Sequence, residues 1–427
     1  MKITAINPAT GKTIKTYDEM TPEEVKNIIE KTYDAFLSWR NTNFKQRSAL
    51  MKKAAQVLRD DLEIHATLMT QEMGKPITAG RAEAEKCAWV CDYYAENAEK
   101  FLQPEMVETD ASKSFITFQP LGLILAVMPW NFPYWQVFRF AAPGLMAGNV
   151  AILKHASNVP GCALAIEGVF KKAGFPENVF RTLLIGSKQV DEVIENPLVM
   201  AATLTGSTPA GRAVARKSGE MLKKSVLELG GSDPYIVLED ANLEEAVTTC
   251  VNSRLINSGQ SCIAAKRFIV VEPTRERFEA LCVQQMRTRK MGDPMEEDTE
   301  VGPQARHDLR DDLHRQVIES IEKGAKCLLG GEIPDSEGAY YPPTVLTNVK
   351  KGMPAYDEEM FGPVAAIIPV KNEEEAIKAA NDSVFGLGAA VFTENIAKGE
   401  AIAAKKLEAG SCFVNAFVKS DPRLPFG

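Results

Sequence analysis

The stretch LGLILAVMPWNFP, residues 121–133, decides the fold. It is an apolar run of strand length that stops at a loop in which two prolines bracket a tryptophan, an asparagine and a phenylalanine. Further short apolar runs follow, separated by helical segments: NVAILKH (149–155), VFRTLLI (179–185), VMAATLTG (199–206) and KSVLELG (224–230). Repeated strand, loop and helix segments predict a parallel, doubly wound α/β sheet. Such a sheet binds ligands at the carboxyl ends of its strands.

A second alternation of the same kind predicts a second α/β domain after residue 231. Its apolar runs are RFIVVEP (267–273), KCLLGG (326–331), VAAIIPV (364–370), GAAVFT (388–393) and SCFVN (411–415). The first hundred residues have helical periodicity, whereas residues 106–120 form two short alternating runs around a polar turn, which is typical of a hairpin. We therefore expect one domain from 1–103 and 120–231, a hairpin within 104–119, and a second domain from 232–427.

Composition excludes several classes of protein. The 427 residues are 45% hydrophobic and 25% charged with a net charge of −8, and no dense basic block suggests a nucleic-acid partner. The first residues lack the apolar core of a secretion signal, and no apolar run reaches the length of a membrane span. The eight cysteines are scattered without C-x-x-C pairs, so neither disulfides nor a metal site is expected. A cytoplasmic location fits this pattern best.

Cys262 lies in NSGQSCIAA, residues 257–265, where a glycine-containing polar turn precedes small residues that can begin a helix. A thiolate at a helix N-terminus has a lowered pKa, which favours nucleophilic chemistry. A buried, inert cysteine is the alternative. The local sequence alone leaves both open.

A nucleophilic cysteine needs a base, and the four histidines supply poor candidates. His65 falls in a helix, His307 and His314 fall on a charged helical face, and only His155 remains for a Cys–His pair. Glu228 is the better candidate, because it ends an apolar strand and precedes two glycines that let other groups approach. Partial burial would raise its pKa toward the range of a general base, although a solvated strand-end carboxylate is the alternative.

Three further positions combine polar groups with strand ends. Asn131 can donate its amide to an oxyanion, or can simply be a turn residue. Gly206 and Ser207, in TGSTPAG (205–211), open a helical run whose free N–H groups suit phosphate, although the spacing is a weak signal. Lys154 closes a strand, where it is either solvated or bonded to a ribose or phosphate.

Four motifs in this order, PWNFP (129–133), LELGG (227–231), GQSC (259–262) and EEMFGP (358–363), resemble the NAD(P)-dependent aldehyde dehydrogenases over essentially the whole chain. The resemblance implies two doubly wound α/β domains, one binding the dinucleotide and one catalytic, plus a β-hairpin oligomerisation element. It also implies a homodimer or homotetramer.

The resemblance assigns roles to individual residues. Cys262 is the nucleophile, Glu228 activates the deacylating water, and Asn131 with the Cys262 backbone N–H forms the oxyanion hole. The aldehyde becomes a thiohemiacetal, then a thioester, then a carboxylic acid, with NAD or NADP as hydride acceptor. The cofactor-binding residues implied are Trp130, Lys154, Ser157, Gly206, Ser207, Glu359 and Phe361.

Within the family, the chain is similar to the shorter bacterial succinate-semialdehyde dehydrogenases, through MPWNFPYWQVFR (128–139), LKHAS (153–157) and CIAAKRFIV (262–270). Arg139 matches a residue that contacts the substrate carboxylate, although an ordinary ion pair is the alternative. A second arginine of that group is replaced by Ile256, so a double-arginine clamp is not expected. Trp135 and Ser420 are expected to line the substrate pocket.

Other departures from the family pattern concern cofactor and assembly. His155 replaces a proline, and Ser157 replaces a glutamate that favours NAD, so NADP is expected to be accepted. Ala264 replaces a cysteine, so no local disulfide is expected. The sequence ends at LPFG, where the family continues with a tail that pairs with a partner subunit, so we expect either missing residues or impaired assembly.

Three other functions remain open from the sequence. One is an aldehyde dehydrogenase for another short or medium aldehyde. Another is a cysteine-dependent thioester hydrolase or acyltransferase without redox chemistry, which the histidine positions disfavour. The third is a non-enzymatic descendant of the fold, which would be expected to have lost Cys262, Glu228 or Asn131.

Overall fold

The computed structural model describes residues 2–426 and divides the chain into two compact units. The first unit consists of three segments: the residues up to Ile6, Thr13–Glu72 and Thr78–Leu229. The second comprises Asn7–Lys12, Met73–Ile77 and the chain from Gly230 onward. The main division thus falls after Leu229, and two short early segments, 7–12 and 73–77, pack with the second unit although the sequence placed them with the first.

The first unit contains nine strands and eight helices among the described residues. Its strands are β1 (Lys2–Ile6), β2 (Thr13–Asp18), β3 (Glu105–Met106), β4 (Phe115–Ile116), β5 (Leu123–Met128), β6 (Val150–His155), β7 (Phe180–Thr182), β8 (Val199–Thr205) and β9 (Lys224–Glu228). Its helices are α1 (Pro22–Trp39), α2 (Phe44–Asp60), α3 (Leu62–Met73), α4 (Ile77–Phe101), α5 (Trp135–Met146), α6 (Pro160–Lys172), α7 (Val190–Glu195) and α8 (Thr208–Glu220).

A five-stranded parallel sheet forms the centre of this unit, in the order β7-β6-β5-β8-β9. Strand β6 is buried along its whole length and β5 along nearly all of it, which explains why their sequences are continuous apolar runs. Strand β9 is one of the two edge strands, and its first three residues are exposed. The predicted doubly wound parallel sheet is confirmed.

Two buried glutamates hold the helices that follow the central strands. Glu72 accepts the N–H groups of Gly161 (2.8 Å) and Cys162 (2.9 Å) in the first turn of α6. Glu83 accepts the N–H groups of Tyr134 and Trp135 at the start of α5 (2.8 and 2.9 Å). The first N–H groups of a helix have no partner within it and carry partial positive charge, so a carboxylate both satisfies and stabilises them.

The first unit also contains two pairs of antiparallel strands outside the five-stranded sheet. The predicted hairpin is present as β3 paired antiparallel with β4, with only two residues in each strand. Strands β1 and β2 form another antiparallel pair that the sequence did not reveal. Strand β2 is largely exposed and polar, so it lacks the apolar signal on which strand prediction depends.

The second unit is built on a seven-stranded sheet in the order β12-β13-β14-β11-β10-β15-β16. Its strands are β10 (Pro234–Val237), β11 (Arg267–Val271), β12 (Lys326–Leu329), β13 (Thr344–Thr347), β14 (Val364–Val370), β15 (Gly388–Phe392) and β16 (Ser411–Val414). Its helices are α9 (Leu243–Leu255), α10 (Arg275–Arg287), α11 (His307–Glu322), α12 (Pro354–Asp357), α13 (Glu373–Asn381) and α14 (Ile396–Lys405).

This second sheet is parallel except at β12, which pairs antiparallel with β13 at one edge. Strands β11, β10 and β15 are neighbours in this sheet and are completely buried. The sequence analysis did not identify β10 or β13 as strands. In the part of the chain that the structure describes, no helix is both long and apolar enough to cross a membrane.

We expect Glu72→Gln to destabilise the first unit. Each Glu72 oxygen accepts one helix N–H, so an amide would place its NH₂ against one of these donors and leave that donor buried without an acceptor. Such a loss costs about 2 kcal/mol and lowers the Tm by about 4–8 °C. Thermal unfolding followed by circular dichroism measures this. Glu30→Gln, at an exposed glutamate on α1, is the control, and an equal Tm loss there would contradict the assigned role.

Candidate active site

Most of the first-unit residues that the sequence singled out lie at the carboxyl edge of the five-stranded sheet. Trp130 and Asn131 follow β5, Gly206 follows β8, and Lys154 and Glu228 lie at the ends of β6 and β9. Pairing aligns Val127 with Lys154 and Thr205 with Glu228, so the strands end at the same level. The parallel topology therefore brings residues that are distant in sequence to one edge, as in other open α/β sheets.

His155 holds the loop that carries Asn131. Its Nδ1 accepts the N–H of Ala156 (2.9 Å), so Nε2 carries the proton and donates to the carbonyl of Pro133 (2.8 Å). Burial lowers the pKa of His155 to about 4, so the ring is neutral at physiological pH. Both ring nitrogens are engaged by backbone, which argues against the Cys–His hydrolase that the sequence left open. The sequence singled out His155 as the one candidate for a Cys–His pair and as a departure from proline, and gave no sign that it holds this loop.

Glu228 is half-buried, and burial raises the pKa of its carboxyl group. The positive charge of Arg139 opposes this shift. Arg139 Nη2 donates to Thr205 Oγ1 (3.4 Å), and Thr205 pairs with Glu228 across β8 and β9. Glu228, the expected base, and Arg139, the expected substrate-binding residue, thus lie near each other at the carboxyl edge of the sheet.

The N-terminus of α8 differs from those of α5 and α6. Ser207 occupies its cap position, is exposed and makes no capping bond through its side chain. Gly206 donates its N–H to the Glu228 carbonyl (2.9 Å), which fixes the turn before the helix. Since carboxylates already occupy the starts of α5 and α6, the start of α8 is the one of these three that presents helix N–H groups to an incoming anion.

The other expected ligand-binding residues of this unit differ in exposure. Lys154 is 7% exposed, and burial lowers the pKa of its ammonium group, an effect that the Glu19 carboxylate opposes. Ser157 is exposed in the loop between β6 and α6. Trp135 is the first residue of α5 and is buried, with Lys86 Nζ 4.1 Å from the centroid of its indole ring.

The expectation that a helix begins at Cys262 is wrong. Cys262 lies in a turn, and the chain continues directly into β11 at Arg267. Ala264 and Ala265 are completely buried, and the N–H of Ala265 is bonded to Ser253 Oγ (3.1 Å). The small residues after the cysteine therefore serve close packing and not helix initiation, so the argument for a lowered pKa from a helix beginning at Cys262 does not apply.

The turn before Cys262 has an unusual backbone. Asn257, Ser258 and Gly259 all have positive φ, at 54°, 57° and 80°. A Cβ at residue 259 would collide with the Gly362 carbonyl group, so the GQSC and EEMFGP motifs are in direct contact. The side chain of Ser258 accepts the Gly302 N–H (2.9 Å). Cys262 itself remains partly exposed at the end of this fixed turn.

Glu359 lies beside the same turn. Its Oε1 accepts the N–H of Gly231 (2.9 Å) and lies 3.6 Å from the ammonium of Lys266. A Cβ at Gly231 would lie 2.5 Å from the Cys262 carbonyl oxygen, so this glycine of LELGG packs directly on the turn that carries Cys262. The sequence had not identified Lys266. A lysine directly before an apolar strand gives no signal that it is buried.

Phe361 and Ser420 complete the set in the second unit. Phe361 is half-buried directly after Glu359 and Met360, and Ser420 is buried in the segment that follows β16. The structure thus groups Cys262 with Glu359 in the second unit, and Asn131, Arg139, Lys154, Gly206 and Glu228 along one sheet edge of the first.

The sequence model of the aldehyde dehydrogenase family matches residues 1–427. The chain belongs to the aldehyde dehydrogenase family. The family resemblance predicted from the four motifs is therefore confirmed.

Individual relatives are similar over the full length of this chain. A protein of Synechocystis sp. named probable succinate-semialdehyde dehydrogenase [NADP(+)] is 51% identical, with 100% of this chain and 94% of the relative covered. The succinate-semialdehyde dehydrogenase [NADP(+)] of Mycobacterium avium is 47% identical, covering 100% and 91%. The crystal structure of the succinic semialdehyde dehydrogenase of Streptococcus pyogenes in complex with NADP+ has a TM-score of 0.97 at 38% identity, covering 100% and 93%.

We expect Gly259→Ala in this aldehyde dehydrogenase to displace the turn that carries Cys262 and to lower the activity. The substitution combines an unfavourable positive φ with a collision against Gly362, and displacement of a reacting group by about 1 Å can cost about 100-fold in rate. Steady-state kinetics and alkylation of Cys262 by iodoacetamide measure the effect. Gly352→Ala is the matched control, because residue 352 also has a positive φ, 91°, but no atom lies within 4 Å of the place that an alanine methyl group would take. Equal losses in both variants would contradict the packing argument.

Proposed function

We propose that this protein oxidises succinate semialdehyde to succinate through Cys262, with NADP as the preferred acceptor and NAD as an alternative. The observation that carries the proposal is the turn that presents Cys262, partly exposed at the end of a fixed backbone and in contact with both the LELGG and EEMFGP motifs. The names of the Synechocystis and Mycobacterium avium relatives support the substrate.

In the proposed reaction, the Cys262 thiolate adds to the aldehyde carbon and gives a tetrahedral oxyanion. The Asn131 side-chain amide and the Cys262 backbone N–H donate to this oxygen. A bound nicotinamide would supply the hydride acceptor, and loss of hydride from the same carbon would leave an acyl thioester on Cys262. Glu228 then takes a proton from water, which attacks the thioester and releases the acid and the thiol. The raised pKa of Glu228 suits this role.

The described residues fit a dinucleotide. The start of α8, at Ser207 and Thr208, offers helix N–H groups that no side chain caps, which suits the pyrophosphate. Lys154 is a buried cation near the end of β6, at the same edge of the sheet. Ser157 is exposed and uncharged, so a ribose 2′-phosphate meets no carboxylate at this position, which supports NADP.

The remaining cofactor contacts are proposed from the resemblance. Trp130 lines the nicotinamide end, and Glu359 with Phe361 holds the nicotinamide ribose. Glu359 lies beside the turn formed by residues 257–262, which we call the nucleophile turn. Its carboxylate is fixed there by the Gly231 N–H, which supports this role. The first unit would accordingly be the dinucleotide-binding domain and the second the catalytic domain.

Arg139 is the proposed contact of the substrate carboxylate, with Trp135 and Ser420 lining the pocket. Ile256 is half-buried at the start of the nucleophile turn and brings no second cation, so recognition would depend on a single guanidinium group. That group also faces Glu228, so Arg139 would act on both the substrate and the base.

We also propose assembly into a homodimer or homotetramer through the β3–β4 hairpin. Met106 is 67% exposed and Phe115 is 51% exposed on this two-stranded element, which leaves apolar side chains in water. Apolar side chains on open strand edges are commonly covered in an assembly.

The proposed activity is tested by steady-state kinetics with succinate semialdehyde and butanal, each with NADP and NAD. We expect reduced cofactor and acid to form in equal amounts, with the highest kcat/KM for succinate semialdehyde and NADP. Cys262→Ser should reduce kcat by more than about 1000-fold, since the thiolate is the nucleophile. A thioester hydrolase would turn over an acyl thioester without any cofactor and would not oxidise either aldehyde.

We expect Arg139→Met to have two separable effects. Loss of the proposed carboxylate contact should raise KM for succinate semialdehyde by about 10-fold or more and leave KM for butanal unchanged. Because Arg139 lowers the pKa of Glu228, its removal should raise that pKa. Activity needs the ionised base and is lost as the pH falls, so the acid limb of the pH–activity profile should move to higher pH for both aldehydes. Arg40→Met, at an exposed arginine after α1, is the control. Equal changes in KM for both aldehydes would contradict carboxylate recognition.

A further inference from the structure

Lys266 is a completely buried lysine beneath the nucleophile turn. Its Nζ donates to the carbonyl oxygens of Ser261 and Cys262, both at 2.8 Å, and lies 3.3 Å from the Ala264 carbonyl oxygen. Three acceptors on one nitrogen require three N–H donors, which only the protonated ammonium provides. The group is therefore a buried cation that gathers the carbonyl groups on both sides of the cysteine.

The charges around Lys266 are few and defined. Glu359 Oε1 lies 3.6 Å from Nζ, and the other charged or titratable groups that act on it are Arg254, Asp233 and Cys262. Burial lowers the pKa of Lys266, while Glu359, Asp233 and Cys262 oppose that shift. Glu359 is thus a direct counter-charge, and Cys262 interacts favourably with the ammonium when it is ionised.

A purely structural role explains only part of this arrangement. The left-handed turn points the Ser261 and Cys262 carbonyl oxygens inward, where they need donors, and a neutral amide side chain can donate two N–H groups. A buried ammonium group is much more costly to desolvate than an amide. The presence of a charge, next to Glu359 and under the reactive residue, therefore calls for an electrostatic function.

We propose that Lys266 is the positioning residue of the nucleophile: its ammonium fixes the Cys262 peptide, joins it to Glu359, and favours the reactive thiolate form of Cys262. This inference rests on the proposed function of Cys262 as nucleophile. It adds a group that acts through Cys262 without touching the substrate. The Lys266 ammonium also supplies a positive charge near Cys262, where the sequence had led us to expect the N-terminus of a helix.

Three substitutions separate charge from hydrogen bonding. Lys266→Met removes both, Lys266→Gln keeps two donors without charge, and Lys266→Arg keeps both. The rate of Cys262 alkylation by iodoacetamide is measured against pH without cofactor. Mass spectrometry of the Cys262 peptide separates it from Cys327 and Cys412, which are also partly exposed.

We expect the alkylation midpoint of the Met and Gln variants to lie about one pH unit above that of the wild type, with rates at pH 7 about 10-fold lower. The Arg variant should keep the wild-type midpoint. Lys75→Met is the matched control, because Lys75 is likewise 0% exposed in the second unit and its loss should leave the alkylation profile unchanged.

A wild-type alkylation profile in a folded Met or Gln variant would overturn the proposal. If neither folds, as judged by circular dichroism, the Arg variant decides: an unchanged midpoint supports the role of charge, and a raised midpoint contradicts it. Alkylation does not depend on dehydrogenase activity. A wild-type protein that alkylates at Cys262 but oxidises no aldehyde would refute the proposed function and leave the result on Lys266 intact.

Discussion

The second unit depends on a left-handed turn that presents one cysteine. Residues other than glycine lose about 1–2 kcal/mol in this conformation, yet Asn257 and Ser258 both adopt it. Their neighbours make the conformation possible: Arg254 Nη2 donates to the Gly259 carbonyl oxygen (2.5 Å), and the Ser258 side chain accepts the Gly302 N–H. The turn can then carry Cys262 into β11 with its carbonyl group facing Lys266.

Glycines at fixed positions let the motifs meet around this turn. A side chain at Gly231 would strike the Cys262 carbonyl oxygen, and one at Gly259 would strike Gly362. Gly231 of LELGG and Gly362 of EEMFGP therefore both pack against the turn that contains GQSC. Glu359 belongs to this packing as well, because its carboxylate accepts the Gly231 N–H and faces Lys266.

In the first unit, buried carboxylates hold the starts of two helices that follow the central strands. Glu72 and Glu83 neutralise the starts of α6 and α5, where the chain needs rigid attachment to the central strands. At the start of α8, by contrast, the Ser207 side chain makes no capping bond. Near the same edge, Arg139 and burial act in opposite directions on the pKa of Glu228, so its basicity is a balance of two local effects.

The sequence by itself determined the fold class, the buried strands β5, β6 and β8, and the family, because long apolar runs and ordered motifs are local signals. It missed β10 and β13, which have four residues each, and it wrongly placed a helix after Cys262. Only the tertiary structure decided that Glu72 caps α6, that His155 holds the Asn131 loop, and that Lys266 lies under Cys262. Each of these roles depends on burial and on a partner chosen by folding, which the residue's own neighbours in sequence do not specify.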